Sequence, residues 1–108
     1  MSKNFRLGEL FCGPGGIALG ARMSKFKDGN DVYQITPAWA SDYDKETCET
    51  FARNIHGHSL SEASDSVFHG DVRELDILEL PKCDGLAFGF PCNDFSIVGE
   101  SKGLDGKF

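Results

Sequence analysis

Basic runs are missing from this sequence: 17 acidic residues stand against 11 lysines and arginines, for a formal charge of −6. Proteins that hold nucleic acid unaided neutralise its phosphates with clustered Lys and Arg. Composition therefore argues against a free-standing nucleic-acid binder, and any such contact has to be local or completed by another polypeptide. Also missing is any stretch near the roughly 20 apolar residues that a membrane span needs. The opening Met1-Ser2-Lys3-Asn4-Phe5-Arg6 lacks the apolar core of a signal peptide. Cysteine is scarce and unpatterned: Cys12, Cys48, Cys83 and Cys92 make no C-x-x-C pair. That speaks against a disulfide framework or a zinc site and for a reduced, cytoplasmic chain with no metal. Low-complexity tracts, internal repeats and interdomain linkers are absent too, and 108 residues leave room for one domain.

What remains is a globular composition, 40% hydrophobic with nine phenylalanines, in which strand-like and helix-like pieces alternate as in an α/β sheet. Strands are expected at 5–11, 33–40 (with Pro37 awkward in its middle), 67–69 and 84–90. A helix is expected over 17–23, with Gly16 and Gly20 on one face allowing close approach to the sheet. Asp44 suits the N-cap of a second helix, along which Cys48, Phe51, Ala52 and Ile55 make one apolar stripe that Gly57 ends. Residues 25–31 and 59–66 read as polar loops, residues 86–88 as a buried run, and 91–108 as a long loop.

In an open parallel sheet, ligands bind beyond the carboxyl ends of the strands, and each expected strand here runs directly into an unusual segment. The first is Phe11-Cys12-Gly13-Pro14-Gly15-Gly16. Its glycines let the backbone approach a ligand, and the helix start behind them offers free N–H groups. A tight strand-to-helix turn without a ligand is the plainer alternative, and the G-x-G-x-x-G dinucleotide spacing is absent. After the second strand comes Ser41-Asp42-Tyr43-Asp44. Asp42 there can accept from both hydroxyls of a ribose and Tyr43 can lie against an adenine, unless the acids merely cap a helix. The third segment, Gly70-Asp71-Val72-Arg73, offers Asp71 to an adenine amino group or is a surface turn. The fourth is Gly89-Phe90-Pro91-Cys92-Asn93-Asp94-Phe95-Ser96. A thiol held stiffly behind proline at a strand end is a candidate nucleophile, whereas Cys12, Cys48 and Cys83 look structural.

Together, and in this order, the four segments resemble the DNA (cytosine-5) methyltransferase family over nearly the whole chain. The resemblance implies a Rossmann-like S-adenosylmethionine-dependent methyltransferase fold, cut after about four strands of a mainly parallel sheet. Residues 1–108 would be the N-terminal portion of the donor-binding catalytic domain. By the same resemblance Phe11, Gly13, Pro14, Gly15, Gly16, Asp42, Tyr43, Asp71, Val72 and Phe90 hold S-adenosylmethionine. Cys92 attacks carbon 6 of a cytosine flipped out of double-stranded DNA. Asn93, Ser96 and Lys102 contact the nucleic acid, and the loop behind Cys92 closes over it.

Two departures accompany the resemblance. The family's later Glu-Asn-Val segment, its target-recognition domain and its last helix have no counterpart here. The chain is thus expected to be a fragment or the front subunit of a split bacterial restriction–modification enzyme, inactive until its missing part joins it. An inactive S-adenosylmethionine-binding module and a transfer-RNA methylating relative are the alternatives. The second departure is Asn93, where family members commonly carry glutamine, one methylene longer. If that side chain fills space vacated by the flipped base, Asn93→Gln will change the rate or the sequence context of methylation while chemistry persists. Methylation assays on substrates that differ in the bases flanking the target cytosine will measure this.

Overall fold

A computed structural model of the chain describes residues 1–89. Phe90, Cys92, Asn93, Ser96, Lys102 and the expected 91–108 loop lie outside the described residues.

Five strands form one sheet among these residues: β1 (Ser2–Leu10), β2 (Lys25–Asp28), β3 (Asp31–Asp42), β4 (Val67–His69) and β5 (Gly85–Phe88). β3, β1 and β5 lie side by side in parallel, and β4 adds in parallel to the outer edge of β3. The order β4-β3-β1-β5 is the first part of a doubly wound sheet, in which the chain winds outward from β1 and then returns to its other side. This is the expected mixed α/β, Rossmann-like class. Parallel strands need crossovers, and right-handed ones put the β1–β3 and β3–β4 connections on one face and the β4–β5 connection on the other.

The first crossover carries α1 (Gly16–Met23) and the second α2 (Lys45–Phe51), which continues as a π-helical turn over Ala52–His56. Asp44 caps α2 as expected, accepting from the Thr47 amide at 3.0 Å. Gly57, at a φ of 69°, closes the π-helical turn, its N–H donating to Ala52 and Arg53. The predicted stripe packs inward: Cys48, Phe51, Ala52 and Ile55 join Cys12, Ala18, Ala40, Ala63 and Val67 in the core. Most of these side chains are small, so helix and sheet approach closely, and Phe51 is the largest filler.

Several expectations change on folding. Residues 25–31 are not a loop: β2 pairs antiparallel with the start of β3 through a two-residue Gly29-Asn30 turn. Gly29 takes the positive φ of 62° that such turns demand of their first residue. Gly16 and Gly20 meet nothing within 4 Å of where a Cβ would lie, so neither permits a close approach; the fully buried Ala18 makes that contact instead. Leu86 and Phe88 are about half exposed among the described residues and do not form a buried run. The third crossover holds only two 3₁₀ turns, Val72–Glu74 and Ile77–Glu79. Pro37 does lie in β3, but where its missing N–H costs nothing. The outer edge of β3 pairs with β2 up to Gln34 and with β4 from Ala40 onward, and Pro37 falls between them.

A register shift just past Pro37 sets Gly8 opposite Trp39. The buried indole lies so tightly across Gly8 that a Cβ there would come within 2.5 Å of Trp39 Cε2. Gly8→Ala is therefore expected to destabilise the chain by about 1–3 kcal/mol, the usual range for overpacking. Adding Trp39→Leu should recover part of that loss. Urea unfolding of the single and double variants, compared as a mutant cycle, will measure both effects.

Candidate functional site at the strand ends

The first three unusual segments converge at the carboxyl end of the sheet, where Asp42 ties them together. Its carboxylate accepts from the Gly13 amide at 3.1 Å and from the Asp44 amide at 3.0 Å. Its backbone carbonyl accepts from the Gly70 amide at 2.9 Å, and the neighbouring Ser41 carbonyl accepts from Cys12 at 3.0 Å. One strand end thus holds the glycine turn on one side and the Gly70-Asp71 turn on the other. A carboxylate has about four acceptor positions, so Asp42 keeps capacity for a ligand. β5 reaches the same end: Phe88 lies opposite Leu10, which brings Gly89 beside the start of the glycine turn.

The turn itself is strained. Phe11 has a φ of 54°, the one non-glycine with positive φ among the described residues, followed by Gly13 at 62° and Gly15 at 112°. A bulky residue in the left-handed region costs on the order of 1–3 kcal/mol and persists where its surroundings over-determine it. Gly15 is the N-cap of α1 and supplies no side-chain cap. Among the described residues the first turn of α1 therefore has no side-chain cap, at the helix end where the dipole favours negative charge.

Asp71 is committed differently. It caps the first 3₁₀ turn and holds Arg73 by a bidentate ion pair, Arg73 Nε lying 3.0 Å from Oδ1 with Nη2 on Oδ2. The side-chain hydrogen bond to Arg73, reinforced by the Arg73 amide and charge, pulls the Asp71 carboxyl down to about 2. Tyr43, Pro14 and Val72 are exposed. The thiols divide as the sequence suggested for two of them. Cys12 and Cys48 are buried, and burial raises Cys12 strongly and Cys48 to about 11, so neither is a thiolate at neutral pH. Cys83, expected to be structural, is exposed.

Sequence reasoning missed Glu9. It is 1% exposed on β1, two residues before Phe11 and between Ala40 and Ala87 of the flanking strands. Neither carboxyl oxygen has a hydrogen-bond partner among the described residues. The missed signal was a lone acid in an otherwise apolar strand end, immediately before a glycine turn. An open groove of about 660 Å³ lies elsewhere, beyond the β4 edge, where Lys45, Glu49, Arg53, Leu60 and His69 contribute to its lining. Its charges are mixed and it contains none of the residues just described.

Compared with known proteins, residues 5–107 match the family model of the C-5 cytosine-specific DNA methylases. Type II methyltransferase M.BbvI of Brevibacillus brevis is 51% identical, the match covering 96% of this chain and 28% of the relative. Type II methyltransferase M.NgoFVII of Neisseria gonorrhoeae is 31% identical over 92% of this chain and 22% of its own length. For Type II methyltransferase M.Bsp6I of Bacillus sp. (strain RFL6) the figures are 29%, 93% and 27%. The chain spans about a quarter of the length of these curated relatives.

Burial pushes the Glu9 carboxyl up to about 7 from an ordinary 4.5. A raised carboxyl favours folding while protonated, so its contribution is complete below about pH 4.5 and is lost as pH rises through about 7. The loss amounts to about 3 kcal/mol at most. Glu9→Gln should flatten this dependence, measured as urea midpoints for both proteins at pH 5 and pH 8.

Proposed function

Since the chain belongs to the C-5 cytosine-specific DNA methylases, we propose that it is the donor-binding and nucleophile-bearing portion of an enzyme that methylates carbon 5 of cytosine in DNA. The observation that carries this reading is the junction at Asp42, where a strained glycine turn, an acid-bearing strand end and the Gly70-Asp71 turn meet. S-adenosylmethionine, when bound, supplies the methyl group that carbon 5 acquires.

The residues present suit that donor. It carries positive charge, and the strand ends present Asp42 and Asp71, with Glu9 buried and unpartnered close by. It also carries a carboxylate, for which the uncapped start of α1 offers N–H groups. Phe11, Gly13, Pro14, Gly15 and Gly16 would form the bed, Asp42 would take the ribose hydroxyls, and Tyr43, Asp71, Val72 and Phe90 would meet the base. For Asp71 to accept from an adenine amino group, Arg73 has to share the carboxylate or leave it.

Chemistry falls to Cys92. Its thiolate adds to carbon 6 of a flipped cytosine, and the displaced electron pair makes carbon 5 a nucleophile. After carbon 5 is methylated, a base removes its proton and the thiolate is expelled, which restores the ring. Asn93, Ser96 and Lys102 would contact the DNA around the target. We assign the protein to the cytoplasm, with double-stranded DNA as substrate, and expect further polypeptide to complete the donor pocket and read the sequence. The acidic composition agrees with that division of labour, because the basic reading surface would belong to the completing part.

The test is mechanism-based trapping. Duplex DNA with 5-fluorocytosine at the target position cannot lose fluorine, so a turning-over enzyme stays covalently attached. With S-adenosylmethionine present, the chain should be trapped when joined to the downstream part of a relative such as M.BbvI. Cys92→Ser should abolish trapping, and the chain alone should show none. Donor binding without trapping in any mixture would point to an inactive binding module. Trapping on transfer RNA in place of DNA would move the substrate.

A further inference from the structure

The glycine turn is gripped from a second side, by the π-helical turn that ends α2. Gly15 rests against it so closely that an added Cβ would lie 3.0 Å from Ile55 Cγ1 and 3.4 Å from Phe51 Cδ2. Next to Ile55, the Asn54 amide donates to the Pro14 carbonyl at 3.1 Å. Arg22, in the last turn of α1, donates to the carbonyls of Ile55 and Asn54. Both ends of α1 are thereby strapped to the same five residues. Ile55 thus lies beneath Gly15 beside Phe51, and Asn54 next to it reaches Pro14.

We propose that Asn54 is a positioning residue for the methyl donor, acting by fixing the orientation of the Pro14–Gly15 peptide. The inference rests on the donor assignment given above. In a trans peptide the carbonyl and the N–H point in opposite directions, so pinning the Pro14 carbonyl to the π-helical turn aims the Gly15 N–H away from it, at the head of α1. Without the latch that peptide can rotate. Glycine on its far side tolerates either sign of φ, and Asp42 holds the turn only at Gly13. Donor binding then has to re-form the conformation each time. The Asn54 bond is exposed, so its worth is that of one ordinary hydrogen bond, which corresponds to roughly a three- to tenfold change in affinity.

Asn54→Asp gives an isosteric test, because an ionised carboxylate cannot donate to a carbonyl, while Asn54→Gln keeps the donor. Binding of S-adenosylmethionine to the chain joined to its completing part would be measured by calorimetry, together with KM for donor and for DNA and thermal unfolding. Asn54→Asp and Asn54→Ala should each weaken donor binding roughly three- to tenfold and raise the donor KM. kcat at saturating donor and the KM for DNA should stay unchanged, and Asn54→Gln should restore most of the affinity. Wild-type donor affinity in Asn54→Asp would overturn the proposal. So would a parallel fall of kcat and rise of both KM values that Asn54→Gln does not relieve, since that pattern belongs to general destabilisation. Failure of the wild-type protein to bind the donor would instead overturn the donor assignment itself, and this inference with it.

Discussion

Asp42 stands where three segments, distant in sequence, have to meet. Its main-chain carbonyl stops the Gly70 turn, its carboxylate stops the Gly13 turn, and the same carboxylate starts the approach to α2 through the Asp44 amide. All of this depends on the parallel pairing of β1 and β3, which runs from Ser2–Val32 to Leu10–Ser41 and leaves both strands ending at one level. A shift of one residue would turn every β3 side chain to the opposite face, carrying Asp42 away from the glycine turn and Ala40 out of the core. The tight contact of Trp39 with Gly8 and the pairing of β4 with the last three residues of β3 both resist such a shift.

Around that junction the structure tolerates polar groups it does not satisfy. Glu9 and the Trp39 indole are buried with no partner among the described residues. An unpaired buried polar group costs on the order of 1–3 kcal/mol, more when charged, which a small domain can ill sustain. At the same time Ile17, Leu19 and Met23 on α1, and Leu86 and Phe88 on β5, present apolar surface. These features lie on or beside the elements that carry the glycine turn.

The glycine turn illustrates how such a site is held. Local sequence gives it freedom, through Gly13 and Gly15, and long-range contacts remove that freedom again. Asp42 grips one side, 29 residues away in sequence, and Asn54 the other, 40 residues from its partner. The strain at Phe11 is sustained by the same arrangement. Buried thiols nearby stay protonated because burial disfavours their charged form, so reactive sulfur chemistry does not compete within the core.

Much of this was legible beforehand. Period-2 and helical patterning located β1, β3, β4, β5, α1 and α2, and Asp44 and Gly57 marked both ends of the second helix because capping is local chemistry. The four polar segments, and through them the family, were also readable, since motif order survives without coordinates. What the patterns could not reveal was anything decided between distant residues. β2 is exposed throughout, so its alternation carried no burial signal, and only pairing with β3 makes it a strand. Pro37 looked disruptive until the two edge partners of β3 proved to leave a gap at that position. The pairing of Asp71 with Arg73, the isolation of Glu9 and the reach of Asn54 to Pro14 depend on directions and distances that spacing does not encode. By itself the sequence determined which chemical groups are present and in what order along the chain. Tertiary structure decided which of them share one strand end, because register and helix winding, set by packing across the whole sheet, fix where each side chain points.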